Sequence, residues 1–344
     1  MKLKYFLLSF FTLLFSCYKE NINEIKVIKN DRQVKKIKGE LLFPVITRLA
    51  SDIYEVDSLL LVCTPFEKKS LFSLYSKNNA NLISVFEKRG KGPNEFIQPS
   101  IHKLQNNVFS LWDSNKKYSE LKIYAKDSKI YYTILNNLTF NNAGLKLYKF
   151  NNDIYISVIN PDGMFTLMDL KGKEISKDVT NNPLADNVIG YDNFQGQIDV
   201  SSQGNFFVYG TSKLGYLCLY EVMPNSRPNL KWHYYLNQEP LYELNGNKLI
   251  WNKDKHLKGI KDIQIVDDKI LILYSGRPIS FPGNTPEGAL SDNLFILNKE
   301  GKIIDSYVLD KPVLKVHFSN KDNALYGITM NRNEWYVVKY SFLI

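Results

Sequence analysis

The feature that most constrains the fold is a pattern that recurs along the whole chain, a short polar turn followed by a mostly apolar run. The copies read DSLLLVC at Asp57, NNVFSLW at Asn106, NNDIYISVI at Asn151, QGNFFVYG at Gln203, DDKILILYSG at Asp267 and DNALYGITM at Asp322. Their starts are 49, 45, 52, 64 and 55 residues apart. A period of about 40–50 residues is typical of folds with one small sheet per repeat. The sequence therefore predicts a series of similar β units.

Each copy is expected to be the second strand of its unit, because a short alternating run precedes it across a polar turn and predicts a hairpin. These first strands are predicted at Ile46–Ser51, Ile101–Leu104, Leu145–Phe150, Gln197–Ser202, Asp262–Asp267 and Val313–Phe318. Third and fourth strands follow most copies, as at Leu82–Glu87 and Ile303–Leu309. Four antiparallel strands in each of six units predict an all-β, six-bladed β-propeller. A β-sandwich is the alternative, but it does not account for the six similar units.

The last unit lacks a fourth strand. It ends on the run Trp335–Ile344, and the segment Gln33–Phe43 ahead of the first unit can pair with it. Such pairing of the two chain ends would remove open sheet edges, which otherwise invite aggregation. Two stretches, 237–257 and 277–291, exceed the repeat length. Insertions in repeat folds lie on one face of the domain, often the binding face. We therefore expect these two loops to form a binding face together.

The N-terminus predicts export and lipid anchoring. Residues 1–16 carry two lysines and then an apolar run from Tyr5 to Phe15, which is typical of a signal peptide. The run is shorter than the roughly 20 residues of a membrane-spanning helix. The segment Leu14-Phe15-Ser16-Cys17 resembles the lipobox of bacterial lipoproteins, which implies cleavage before Cys17 and lipid on its thiol. Residues 17–32 are then a polar tether, and 33–344 the propeller domain.

The charge balance argues against nucleic acid as a partner. The chain has a formal net charge of +9, and removing residues 1–16 leaves +7. Its lysines are spread along the sequence beside acidic residues, whereas nucleic-acid binders concentrate them in a patch. A solvated surface near an anionic membrane is the expected interpretation. Cys63 and Cys218 lie in apolar runs and are expected to be buried free thiols, although the compartment permits a disulfide.

One segment resembles a known family. Glu87–Phe96 reads EKRGKGPNEF, and Tyr274–Arg277 reads YSGR. With the lipobox, these runs resemble the TolB-like six-bladed propeller lipoproteins of Bacteroidetes, whose function is mostly unknown. The resemblance implies a propeller at the cell envelope, on the outer membrane, with Lys19-Glu20 similar to a surface-display signal. Independently of the family, Gly90, Gly92 and Glu95 fit a tight crossover between units. The alternative is an anion cradle, with Arg89 and Lys91 beside the glycine amides, and these two residues and Glu95 are candidate binding residues.

Signatures of catalysis are weak. His102 and His317 lie on predicted inner strands and could approach each other around the axis, where they are candidates for a metal site. No zinc-type histidine pair or Gly-x-Ser-x-Gly elbow occurs. Arg277 is the residue singled out for binding, because it opens the second insertion and can bind a carboxylate or phosphate at the channel mouth. The alternative is that its guanidinium holds its own loop in place by hydrogen bonds to carbonyl groups. Trp112, Tyr274 and Phe281 are expected to pack between units, or else to stack on a sugar or peptide.

The sequence thus favours a non-enzymatic binding or interaction module without a cofactor. Its expected partners are the membrane, through the lipid, and another envelope protein, a peptide or a glycan. The alternative is a metal-dependent, lactonase-like hydrolase or lyase that holds Ca²⁺ or Zn²⁺ in the channel, for which Asp199, His102, Asp262 and His317 are the candidate ligands on inner strands. A structural subunit of an envelope complex is a third possibility.

Overall fold

The structure is a computed structural model. It describes residues 25–67, 70–87, 89–92, 95–113, 115–126, 129–160, 163–177, 184, 193–222, 228–246, 248–281 and 286–342. The signal peptide and Cys17 lie outside these residues.

The fold is an all-β propeller. Three strands precede the first sheet: β1 (Val27–Ile28), β2 (Lys35–Ile37) and β3 (Gly39–Val45). The first sheet consists of β4 (Asp52–Val56), β5 (Leu59–Cys63), β6 (Phe72–Ser76) and β7 (Leu82–Phe86). The second consists of β8 (Ser100–Gln105), β9 (Val108–Trp112), β10 (Lys117–Lys126) and β11 (Lys129–Thr139). The third consists of β12 (Lys146–Lys149), β13 (Ile154–Asn160), β14 (Gly163–Asp169) and β15 (Glu174–Lys177).

The later sheets are larger. The fourth consists of β16 (Gly196–Val200), β17 (Phe206–Thr211), β18 (Tyr216–Glu221) and β19 (Asn229–Leu236), with β1 parallel on β19. A hairpin follows, β20 (Tyr242–Asn245) and β21 (Lys248–Trp251). The last sheet has eight strands. Seven lie side by side in the order β22 (Ile260–Val266), β23 (Lys269–Tyr274), β24 (Ser291–Asn298), β25 (Ile303–Ser319), β26 (Ala324–Asn331), β27 (Glu334–Ser341) and β3, and the eighth, β2, pairs with β25. The helix α1 (Pro286–Ala289) lies between β23 and β24.

The recurring polar turn has a backbone reason. In five of the six copies, one residue of the polar turn has a positive φ angle. These residues are Asp57 (52°), Asn106 (37°), Gly204 (62°), Asp267 (53°) and Asn323 (45°). Glycine, asparagine and aspartate tolerate this left-handed conformation best. The apolar run of each copy is confirmed as a strand, and in chain order these strands are β5, β9, β13, β17, β23 and β26.

The core lies between neighbouring sheets. One cluster joins Leu61 and Leu74 of the first sheet to Phe109 and Ile123 of the second. Another joins the fourth sheet to β22–β24, and a third joins β26, β27 and β3 to β4 and β5. Cys63 and Cys218 are free, buried and in different clusters. The sheets are therefore held together by apolar faces stacked on one another.

Three predicted strands were wrong in position or extent. The first inner strand is Asp52–Val56 and not Ile46–Ser51, because Glu67 accepts hydrogen bonds from Arg48 N (2.9 Å) and Thr47 Oγ1 (3.1 Å) and holds this stretch as a turn. Ile303–Leu309 and Val313–Phe318 are one continuous strand, β25, which the last two predicted units share.

The N-terminal segment also differs from the prediction. Residues 25–32, assigned to the tether, lie along the domain, where Tyr235 N donates to Lys26 O (2.9 Å) and Asn237 N to Ile28 O (2.8 Å). The segment predicted to close the last sheet divides into two strands. β2 pairs in parallel with Tyr307–Leu309, and β3 pairs with β27 as expected. We call residues 25–45 the N-terminal belt, because they contact the fourth sheet and both halves of the last one. Within the described residues, none of the helices has the length and apolar character needed to cross a membrane.

Candidate functional site

The strands nearest the axis line a central channel. These inner strands are β4, β8, β12, β16, β22 and the second half of β25, and together they enclose a cavity of about 1180 Å³. At one end the lining includes Phe66, Pro99 and Leu145, and Ala289 of α1 also lies there. At the other end it includes Asn106 and Lys321. The first end, which we call the insertion end, is thus the one next to the second insertion.

A layer of four charged side chains and one amide lies near the insertion end, one to three residues into the inner strands. It consists of Asp52, Lys146, Gln197, Asp262 and Lys315, which we call the lysine layer. Lys315 Nζ lies 2.7 Å from Asp262 Oδ1 and 3.9 Å from Asp52 Oδ1. Lys146 Nζ and Lys315 Nζ both donate to Gln197 Oε1, at 3.0 and 3.2 Å. Two ammonium groups therefore converge on one amide oxygen.

Two residues further along each strand, a second layer follows, because alternate residues of a strand face the same way. It consists of Tyr54, His102, Tyr148, Asp199, Gln264 and His317, the histidine layer. His102 Nε2 lies 2.7 Å from Asp199 Oδ1, and its ring contacts that of Tyr148 edge-on. His317 is instead next to Gln264, whose Nε2 is 3.3 Å from His317 Nδ1. The two histidines predicted as a pair thus have different partners.

Several of these side chains also tie one inner strand to the next. Asp199 Oδ2 accepts a hydrogen bond from Ile265 N at 2.6 Å, and Asp262 Oδ2 accepts one from Val316 N at 3.0 Å. Gln264 Oε1 does the same for Phe318 N at 2.6 Å. The free edge of an inner strand carries amides that need acceptors when buried. Asp199 and Asp262, candidate ligands from sequence, therefore have structural roles.

Lys146 differs from the other charges of the channel. Burial, with the neighbouring Lys315 ammonium, lowers the pKa of Lys146 to about 8, although Asp52 and Asp262 favour its charged form. Among the described residues it makes no ion pair, and its hydrogen bond goes to Gln197. A buried ammonium without a close carboxylate gains most from an added anion.

Two ring nitrogens in the histidine layer are buried and have no hydrogen-bond partner in the described part of the chain, His102 Nδ1 and His317 Nε2. Burial holds the pKa of His317 well below its usual range, with Lys103 and Lys77 lowering it further, so the ring is neutral at pH 7. Across the described ranges, no three His, Cys, Asp or Glu side chains lie close enough together to hold a metal ion. The metal site proposed from His102 and His317 therefore has no third ligand in this region.

The glycine-rich segment forms a turn filled by its own carboxylate. Gly92 N donates to Glu95 Oε2 at 2.8 Å, and a Cβ atom on Gly90 would lie 2.0 Å from that oxygen. Arg89 Nε donates to Ile97 O at 3.0 Å, while Lys91 is exposed. Pro93 and Asn94 lie outside the described residues. The arrangement favours the crossover interpretation, since Glu95 occupies the place that an anion would take.

The two insertions contact each other. Ile279 N donates to His256 O (2.9 Å) and Ser280 N to Lys253 O (2.8 Å), so both loops form one structure, the insertion surface (237–246, 248–257, 275–281 and 286–290). His256 anchors the first loop, because its ring stacks on Trp251 and its Nε2 lies 2.8 Å from Lys213 O. The sequence offered no motif for this anchor.

The other predicted binding residues separate into two groups. Arg277 lies over the ring of exposed Phe281, 5.1 Å from its centroid, and is not among the residues that line the channel. The predicted place at the channel mouth was therefore wrong. Tyr274 is 2% exposed and packs against Phe295, and Trp112 is 3% exposed with its edge towards Phe140. These two rings belong to the packing between and within sheets.

Comparison with known proteins agrees with this architecture. The model of the TolB-like 6-blade propeller-like family matches residues 29–321. The chain belongs to this family. No curated protein matches the sequence.

Solved structures similar to this TolB-like chain share its fold at low sequence identity. A Bacteroides fragilis protein whose name describes it as exported is 11% identical, with a TM-score of 0.58, covering 93% of this chain and 100% of its own. A DUF4221-family member from Bacteroides vulgatus is 12% identical, with a TM-score of 0.53, covering 93% and 98%. At such identities the likeness establishes the fold alone.

Sequence reasoning missed most of the lysine layer of this TolB-like propeller. Asp52, Lys146, Gln197 and Lys315 were not candidates, although Asp262 of the same layer was. The available signal was positional, since each lies near the start of an inner strand and shares a face with the residue two positions later. To find the lysine layer from the sequence, the first residue of every inner strand would have had to be predicted correctly.

Proposed function

We propose that this protein is a non-enzymatic interaction module of the cell envelope, held at the outer membrane by lipid on Cys17. It binds an acidic surface of another envelope protein through the insertion surface. The single observation that carries this proposal is the packing of both insertions into one structure that presents Arg277 and Phe281 together.

The charge of the insertion surface supports an acidic partner. Lys258 and Lys261 lie close enough to Arg277 for its charge to lower the pKa of both, after the larger effect of burial. Arg277 lies over the exposed ring of Phe281, and Lys258 Nζ donates to Phe281 O at 2.7 Å. Positive charge and an apolar contact are therefore present at the same place. Arginine and aromatic residues are the side chains that most often dominate binding energy at interfaces.

The propeller itself is proposed to be a closed ring of six blades. The eight-stranded sheet contributes two of them, divided where β25 changes partner from β24 to β26. Apolar packing of β26, β27 and β3 on β4 and β5 supports closure. Rings of this kind present their loops on two opposite faces and are well suited to binding.

The proposed anchor would hold the domain close to the membrane. Residues 18–24 separate Cys17 from the belt, and this length of chain spans no more than about 28 Å. The export signal and the exported B. fragilis protein of similar fold support a location outside the cytoplasm.

The test is capture of a partner from a solubilised envelope extract by the full lipidated chain. We expect one acidic protein to be retained by wild type, and at least tenfold less of it by the double variant Arg277→Ala/Phe281→Ala. Lys302→Ala removes a cation from the turn at the opposite end of the same sheet, and it should capture as wild type does. In fractionated cells, Cys17→Ala should move the protein out of the membrane fraction. Equal capture by the double variant would overturn the proposed surface, and membrane-bound Cys17→Ala the anchor.

A further inference from the structure

We infer that the insertion end of the channel is a binding site for a small monocarboxylate with an apolar stem. The carboxylate sits between Lys146 and Lys315, and the stem lies against the apolar lining above them. This site is separate from the insertion surface, and it does not depend on a protein partner.

The lysine layer provides the geometry for one carboxylate. Because both ammonium groups donate to Gln197 Oε1, their nitrogens are no more than 6.2 Å apart, which is the sum of the two distances. The two oxygens of a carboxylate, each about 2.8 Å from an ammonium nitrogen, can bridge such a gap. Lys315 already has Asp262 as a partner, so Lys146 supplies most of the unmatched positive charge.

The same layer favours a single negative charge. Asp52 and Asp262 lie beside Lys315, at 3.9 and 2.7 Å. A phosphate dianion at this place would meet two carboxylates in a site partly shielded from water, where like charges repel strongly. A monocarboxylate carries one negative charge instead of two. It is attracted by Lys146 and meets about half the repulsion from the two carboxylates that a phosphate dianion would meet.

The lining above the lysine layer includes several apolar side chains, those of Leu49, Phe66, Pro99, Leu145 and Leu314, beside the polar side chains of Gln98 and Gln195. A leucine directly precedes each of the two lysines, Leu145 before Lys146 and Leu314 before Lys315. Leu145 is 59% exposed and Phe66 is 40% exposed, so both have apolar surface to bury against a ligand. A small inorganic anion would leave this apolar surface in water.

An apolar carboxylate can come from a fatty acid or from the free C-terminus of an apolar peptide. The test is isothermal titration calorimetry with the purified full chain, using octanoate, octanamide, acetyl-trileucine and acetyl-trileucine amide. We expect both acids to bind at least tenfold more tightly than their neutral amides, since a charge-assisted hydrogen bond is lost in each amide. The tighter of the two acids identifies the source.

Variants locate the site. Lys146→Met should weaken binding of the acids by about tenfold or more, whereas Lys122→Met, which removes an exposed lysine of β10, should have no effect. Leu145→Ser changes an exposed side chain and so leaves the fold intact, and it should weaken octanoate at least threefold. Thermal unfolding of each variant checks that it is folded.

The pH dependence of octanoate affinity distinguishes a lysine that binds the carboxylate from one that only supports the fold. The groups that face Lys146 are Lys315, Asp52 and Asp262, with His102 and Asp199 in the next layer. Since the pKa of Lys146 is about 8 in the free protein, affinity for octanoate should fall as pH rises from 7.5 to 9.5 and stay nearly flat in Lys146→Met. The inference is overturned if neither acid binds at millimolar concentration, if the amides bind equally well, or if Lys146→Met binds as wild type does.

Discussion

Glu87 is a carboxyl group buried where the first sheet meets the second. It is 6% exposed, and its Oε1 has no hydrogen-bond partner within the described residues. Burial raises the pKa of Glu87 to about 7, in spite of a hydrogen bond with Tyr132 and the charge of Lys117. In the unfolded chain the group titrates near its ordinary value of 4.5. The folded protein therefore holds this proton more tightly than the unfolded one does.

The sign of the pH effect follows by linkage. Between pH 4.5 and 7 the unfolded chain loses the proton more readily, so stability falls as pH rises across this window and is then constant. Glu87→Gln does not titrate, and its free energy of unfolding relative to wild type should increase by about 2 kcal/mol from pH 4 to pH 8. Urea unfolding at pH 4, 6 and 8 measures this. Glu300→Gln, at an exposed turn, is the control, and a pH-independent difference for Glu87→Gln would refute the prediction.

At the scale of elements, the inner strands are joined by side chains instead of by a backbone ladder. Asp262 makes two such contacts with β25. Its Oδ1 accepts a hydrogen bond from Lys315 Nζ, and its Oδ2 accepts one from Val316 N. Its pair with Lys315 is largely buried, with side-chain exposures of 19% and 11%. The pair of Lys35 and Asp305 on β25 is much more exposed, at 56% and 36%.

Removing Asp262 should therefore cost far more than removing Asp305. Asp262→Ala leaves a buried ammonium and a buried amide without their acceptor, and the expected loss is about 3 kcal/mol of unfolding free energy. Asp305→Ala breaks an exposed pair and should cost less than about 1 kcal/mol. Denaturant titration of both variants makes the comparison, and similar losses would show that the inner-strand ties are not important for stability.

At the scale of the whole molecule, the N-terminal belt connects parts of the ring that are distant in sequence. β1 pairs with β19, β2 with the first half of β25, and β3 with β27. Asn30 adds hydrogen bonds to Asn237 Oδ1 at 3.2 Å and to Ser306 Oγ at 3.0 Å. From residue 25 onward, the chain that follows the proposed anchor is therefore attached to the domain.

The belt yields a prediction about closure. A shortened chain that starts at residue 46 leaves the edge of β27 unpaired, and an exposed edge is a template for association. It should elute as oligomers or aggregate, whereas a chain that starts at residue 25 should remain monomeric. Size-exclusion chromatography with light scattering distinguishes them. A monomeric form starting at residue 46, with unchanged thermal stability, would show that the belt is dispensable.

Local patterns in the sequence were sufficient for the second strand of every unit, for the closing strand β3 and for the turn at Gly90–Glu95. These features depend on alternation, on positive-φ turn residues and on glycine, all of which act within a few residues. Arg277 was singled out from the sequence, but it is not among the residues that line the channel. His102 and His317 were found without their partners.

The sequence by itself determined the repeat and the strand chemistry, because each depends on neighbouring residues. Tertiary structure decided the rest. It joined two predicted strands into β25, fixed residues 25–32 on the domain and placed Lys146 beside Lys315 on Gln197. The physical reason is that residues 146, 197 and 315 come from inner strands of different sheets. Their meeting depends on how whole sheets pack around the axis, and no short-range pattern encodes that distance.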